Sequence, residues 1–129
     1  MIDLKLIQQI CGILRGNFPQ IYIGGQHEST PITLPAVLLD IKSEGVVGGP
    51  LHKGTLTAEI TSQADDTTPE AHGNLVEQIG AAISNLTGET GYATIAGVVY
   101  SSSDSFRAER HFQTNLQFVL GYHEANSNC

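Results

Sequence analysis

Basic residues are scarce in this chain of 129. Six lysines and arginines stand against thirteen aspartates and glutamates, a formal net charge of −7. The six are Lys5, Arg15, Lys42, Lys53, Arg107 and Arg110, scattered except for the near pair at the end. Phosphate recognition needs clustered positive charge, so the sequence argues against a nucleic-acid binder. An acidic surface past which DNA slides without sticking is compatible with it.

Cysteine is equally sparse. Cys11 lies inside a helical pattern and Cys129 is the last residue, and neither sits in a CxxC or CxxxH spacing. No zinc or thiol–disulfide motif is present, and two reduced thiols are expected. Runs of about 18 apolar residues, the length of a membrane span, are also missing. The first residues, MIDLKLIQQI, lack the basic region and cleavage site of a signal peptide. Manufacture and use in a cytosol are therefore expected, and Asn85–Leu86–Thr87 carries no weight as a glycosylation acceptor.

Charged residues make up 15% and hydrophobic ones 40%, which describes a globular chain whose surface relies on Thr, Ser, Gln and Asn. The length suits a single domain, residues 1–129, large enough for a core without staples.

Residues 2–16 read as a helix, with Ile2, Leu6, Ile10 and Ile13 in one stripe widened by Leu4, Ile7, Cys11 and Leu14. At about 100° per residue the apolar arc spans roughly 200°. A helix on one sheet needs less, so a second apolar contact is implied. Gly16, Asn17 and Pro19 end the helix. Residues 18–35 are turn-rich, with room for a short strand at Gln20–Ile23.

Alternating patterns predict strands at 34–44 (Val37, Leu39 and Ile41 on one face) and 55–63 (Leu56, Ala58 and Ile60 inward). The glycine-rich connection 45–54 joins them as an antiparallel hairpin with a long arm or tip. A second helix follows within 65–88. Thr68 can cap it, Pro69 takes its first position, and Asp65, Asp66 and Glu70 favour its positive end. Leu75, Ile79, Ala82, Ile83 and Leu86 make its apolar arc, and Gly88 stops it. Strands at 91–101 and 107–123 close the chain, joined by a turn at Ser101–Ser105. The last alternates Phe112, Leu116, Phe118, Leu120 and Tyr122, with Thr114 among them, against His111, Gln113, Asn115, Gln117 and His123.

The expected fold class is α+β, in the order α-β-β-α-β-β: a four-stranded, mainly antiparallel sheet with two helices on one face.

Motifs for chemistry do not assemble. His27–Glu28 is not completed to HExxH, His111 and His123 are too far apart along one strand to share an ion, and Asp65–Asp66 is explained by helix capping. His72 falls on the buried side of its helix, where a satisfied boundary histidine is expected. The serines lack a nucleophile elbow and the glycines lack a Walker or dinucleotide pattern. No enzyme, metal or cofactor is expected. An acid/base role for Glu109, His111 or His27 would require two of them to converge in a cleft.

Three features ask for neighbours: apolar Val46, Val47 and Leu51 in the 45–54 segment, beside His52 and Lys53; the overlong last strand; and the wide arc of the first helix. A β-arm reaching across a subunit boundary satisfies all three. A small dimeric α+β module that binds a ligand between sheet and helices is the other arrangement.

The stretches IDLKLIQQICGILRG, LPAVLLDIKSEGVVGGPLHKGTLTAEITSQ, TTPEAHGNLVEQIGAAISNL and GYATIAGVVYSSSDSFRAERHFQTNLQFVLGYHE together resemble the bacteriophage tail-terminator, or tail-completion, proteins of the lambda minor tail protein U type. The resemblance lies in element order and texture, and it spans nearly the whole chain. It implies a virion protein made in the host bacterial cytoplasm. As a hexameric ring it would cap the tail tube, end tube polymerisation and meet the head-completion or connector protein. DNA would pass through the lumen without specific binding, and no membrane would be involved. Related neck and head-completion proteins share the texture. Within this picture Arg107 and Arg110 would bridge to a neighbour's acids, and His111, Gln113, Asn115 and Gln117 would face an assembly surface or the lumen.

Overall fold

The structure is a computed structural model that describes residues 2–25, 35–48, 51–64, 68–86, 88–89, 93–108 and 110–124. Its elements run α1 (Ile2–Asn17), β1 (Tyr22–Gly25), β2 (Ala36–Gly48), β3 (Leu51–Gln63), α2 (Pro69–Ser84), β4 (Gly88–Glu89), β5 (Ala93–Ala108) and β6 (His111–Glu124). They form a 6-stranded sheet in the order β1-β2-β3-β6-β5-β4.

This corrects the four-stranded α-β-β-α-β-β expectation. The order is α-β-β-β-α-β-β-β, because each side of the four long strands carries a further short one. β1 pairs parallel with β2, Tyr22 opposite Ala36 through Gly25 opposite Leu39. It falls two residues later than the Gln20–Ile23 suggestion and is held by Arg15, whose Nε donates to the Ile23 carbonyl at 2.8 Å. β4 sets Gly88 and Glu89 against Ile95 and Thr94. Gly88 therefore begins a strand and does not stop α2, which closes at Asn85, the Asn85 N–H donating to the Ala81 carbonyl and the Leu86 N–H to the Ile83 carbonyl.

Two connections are corrected as well. Ser101–Ser105 is not a turn: β5 continues through it past a bulge at Ser101, with Ser102 opposite Gln117 and Ser105 opposite Thr114. Local turn preference of serine lost to the ladder with β6, and the reversal falls between Ala108 and His111. The 45–54 segment is itself mostly strand, pairing Gly45 with Lys53, Val46 with His52 and Gly48 with Leu51 past two bulges.

The core lies between one sheet face and the two helices. Leu6, Ile7, Ile10, Cys11 and Leu14 of α1 and Ile79 and Ile83 of α2 share one buried cluster with Val37, Leu39, Ile41, Leu56, Ala58, Ile60, Leu116, Phe118, Leu120 and Tyr122. These strand residues stand in cross-strand rows: Leu39–Ala58–Leu116 and Ile41–Leu56–Phe118. The predicted inward faces of β2, β3 and β6 are thus the observed ones. Ile13 is the described member of the wide α1 arc left outside, 36% exposed. Thr68 caps α2 as predicted, its side chain accepting from the Ala71 N–H at 3.1 Å. The Asp65–Asp66 pair lies outside the described residues.

Candidate functional site

Strand periodicity places every second side chain on the face away from the helices. There β3 presents Thr55, Thr57, Glu59 and Thr61, facing Val119, Gln117, Asn115 and Gln113 of β6. β2 adds Asp40 and Lys42, and β5 adds Ser102 and Asp104. Glu44 joins them by accepting from the Thr55 hydroxyl at 2.5 Å. Hydroxyls, amides and carboxylates dominate, with Lys42 and Lys53 as counterweights. Gln113 donates to Asn115 Oδ1 at 3.4 Å, and Ser102 donates to Gln117 Oε1 at 3.2 Å. Such a face offers hydrogen bonds without the clustered positive charge that holds phosphate.

The residues singled out in the sequence do not form one patch. Val46, Val47, Leu51, His52 and Lys53 belong to the β2–β3 arm, level with Tyr122. Arg107, Arg110 and His111 sit at the opposite end, where His111 meets Gln63. The two ends are roughly 35 Å apart at about 3.4 Å per residue. His52 stacks on the Tyr122 ring, centroids 5.7 Å apart. Arg107 lies opposite Phe112 with its guanidinium 5.4 Å from that ring, which places it on the helix side. Arg110 is exposed in the turn. His111, Gln113, Asn115 and Gln117 share the polar face with Lys53 at its far end. His27, Glu28, Glu109 and Cys129 lie outside the described residues. His111 and His123 stand near opposite ends of β6.

A buried polar relay was not anticipated as such. His72 of α2 puts Nδ1 2.8 Å from Ser62 Oγ and Nε2 3.0 Å from Thr114 Oγ1, and Thr114 Oγ1 is 2.9 Å from Ser105 Oγ. Ser62, His72 and Thr114 are buried. A neutral imidazole offers one donor and one acceptor, and hydroxyls supply either, so the chain closes in both senses. Burial lowers the His72 pKa below its ordinary value. The signal in the sequence is that Ser62 and Thr114 occupy inward positions of two otherwise apolar alternations. Ser62 is only 4% exposed, so its hydroxyl is turned into the packed side of the pair.

Beside the relay, α2 leaves part of β5 uncovered. One cavity of about 310 Å³ is lined by Pro69, His72, Val76, Ser105 and Phe112. Another of about 280 Å³ is lined by Val76, Gly80, Tyr100, Leu116 and Phe118. Val76 borders both, making one shallow groove along α2. Among the described residues no group of three or more His, Cys, Asp and Glu could hold a metal ion. Among them, no helix is long and apolar enough to cross a membrane.

No protein-family model matches the chain, and no curated protein matches it. Solved structures do. A chain in the virion of a native gene transfer agent particle superposes with a TM-score of 0.64 at 10% identity, covering 94% of this chain and 92% of that one. A second solved protein superposes with a TM-score of 0.60 at 11% identity, covering 96% and 93%. At these identities the likeness establishes a shared fold.

Proposed function

We propose that this chain is a structural virion protein that closes a phage-type tail tube as a ring, ends tube polymerisation and presents the joining surface for the head. The observation that carries this reading is the end-to-end fold likeness to a chain of a gene transfer agent virion. The sheet supports it: a long face of Thr, Gln, Asn and carboxylates, covered by no helix among the described residues, suits a wall past which DNA moves. The ring is a homo-hexamer, its other partners are the tube protein and a head-completion protein, and its place is the virion. The protein is not an enzyme in this reading. A neighbouring neck position would use the same ring and wall.

Light scattering on the purified protein at several concentrations, with electron microscopy of the same samples, tests it. A species six times the 13.8 kDa chain, seen as rings, is expected. A fixed dimer at all concentrations would instead favour a small ligand-binding module, for which the groove along α2 is the place to look.

A further inference from the structure

The outer edge of β5 is open over most of its length. β4 pairs only with Ile95 and Thr94, and among the described residues no strand lies on the outer side of Gly97–Ala108. Long open edges are normally blunted by lysine or proline, and neither occurs in Ala93–Ala108. Past the bulge at Ser101, β5 keeps a regular register from Ser102 opposite Gln117 to Ala108 opposite His111. That stretch of seven residues is regular enough to take a further strand.

The helix side of the same stretch has space beside it. Ser103, Ser105 and Arg107 stand there, opposite Leu116, Thr114 and Phe112, and all three are exposed. The serines are short, and α2 contributes Gly73 and Gly80 across from them. A Cβ on Gly73 would meet nothing within 4 Å, and one on Gly80 only Leu116 Cδ1 at 3.5 Å. Glycine is disfavoured inside a helix, and here it leaves room next to β5. The room is the pair of cavities of about 310 and 280 Å³, the first reaching Ser105 and the second Ser103. Val76 and Phe112 give the first an apolar wall, Leu116 and Phe118 the second. Formal charge sits at the two ends: the Arg107 guanidinium over the Phe112 ring, and Glu77 in the lining of the second cavity.

We propose that this edge is a docking site for an extended segment of a partner protein, added antiparallel to Ser102–Ala108. The register dictates the chemistry of the segment. In chain order it presents a carboxylate opposite Arg107, an apolar side chain opposite Ser105 and a second apolar one opposite Ser103. Alternate residues share one face and stand about 7 Å apart, so the two apolar side chains enter one cavity each. On the other face the residue opposite Asp104 is basic, because opposite charges facing across a ladder attract. Glu77 keeps the carboxylate at the Arg107 end, and antiparallel pairing, the more stable kind per residue, then puts it first in the segment. Main-chain hydrogen bonds to the edge supply affinity, and the two cavities supply selectivity. The segment ends at Ser102, short of the Ile95 position that β4 occupies, and it brings no strand of its own into that lane. The site stands on the fold alone; its use, joining a virion partner to the ring, rests on the proposed function.

Fluorescence anisotropy with the full chain and a labelled peptide, Thr-Glu-Ser-Val-Lys-Val-Thr, tests the site. Its Glu is set to face Arg107, its two Val to face Ser105 and Ser103, and its Lys to face Asp104. Saturable binding is expected, about tenfold weaker when the Glu and the first Val of the peptide are exchanged. Arg107→Glu should weaken binding similarly and recover it with a peptide carrying Lys in place of Glu. Gly73→Leu, which fills the first cavity, should weaken binding without lowering the melting temperature. No binding, equal binding of the exchanged peptide, tighter binding of the reversed sequence, or wild-type binding by Gly73→Leu overturns the proposal. A peptide that breaks up assembled rings makes the edge a contact between copies, and that overturns it too. Rings without peptide binding sink the site and spare the ring; peptide binding by a chain that forms no rings does the reverse.

Discussion

His72 and Thr114, 42 residues apart in the chain, meet between α2 and the sheet with Nε2 3.0 Å from Oγ1. The contact is what a polar residue in an apolar row is for. β6 buries Leu116, Phe118, Leu120 and Tyr122 and then Thr114, and the hydroxyl gives the largely buried imidazole a partner. With Ser62 on the other ring nitrogen, the relay pins the start of α2 across β3 and β6. Thr114→Val keeps the shape and removes the partner. A loss of about 1–3 kcal/mol is expected, the cost of leaving a buried polar atom unsatisfied. Urea denaturation measures it, and an unchanged midpoint would mean that the relay does not hold the helix.

The same burial makes stability depend on pH in a defined direction. His72 has its pKa lowered by desolvation from 6.5, so the unfolded chain binds its proton more readily than the folded one. Stability from this group is fully present above about 6.5 and is lost as pH falls from there toward the lowered folded value. Denaturation midpoints between pH 8 and 5 should fall toward the acid side. His72→Gln should flatten that part of the profile, and an equal slope in both proteins would put the dependence elsewhere.

Much of this was legible from the sequence because strand alternation is a local signal. The inward rows of β2, β3 and β6 and the Thr68 cap follow from spacing alone. What was not legible depended on pairing. Tyr22–Gly25 and Gly88–Glu89 are too short to carry a periodic pattern, and they exist as strands because β2 and β5 offer open edges. Ser101–Ser105 has turn composition, yet Gln117, Asn115 and Thr114 of β6 hold it extended. The candidate interface residues scattered to two ends and two faces for the same reason: sequence distance says nothing about which strands run side by side.

Glycine positions separate crowded from open backbone. A Cβ on Gly54 would sit 3.1 Å from the Lys42 carbonyl oxygen and 3.4 Å from both Ile41 Cγ2 and Tyr122 Cε1. The nearest atom is backbone at the base of the arm, so it cannot swing away. Gly54→Val should cost about 1–3 kcal/mol by overpacking. Gly12, on the exposed side of α1 with nothing within 4 Å, should respond oppositely, Gly12→Ala gaining about 0.5–1 kcal/mol from helix propensity. Thermal melts of the two variants should move in opposite directions.

Arg107 and Arg110 divide stability from assembly. The Arg107 guanidinium lies 5.4 Å from the Phe112 ring centroid, a contact worth about 0.5–1 kcal/mol at an exposed site. Arg107→Ala should lower the unfolding free energy by roughly that amount. Arg110 is exposed in the turn before β6, and Arg110→Ala should leave stability within about 0.5 kcal/mol of wild type. In the ring reading both arginines also reach a neighbour's acids, and replacing both with Glu reverses those attractions. The double variant should remain a folded monomer by circular dichroism, yet need higher concentration to assemble by light scattering. If it unfolds, Arg107 matters mainly within its own chain. If it assembles like wild type, the end of the sheet carrying the β5–β6 reversal plays no part in joining subunits, and the contact must lie along the strand edges alone.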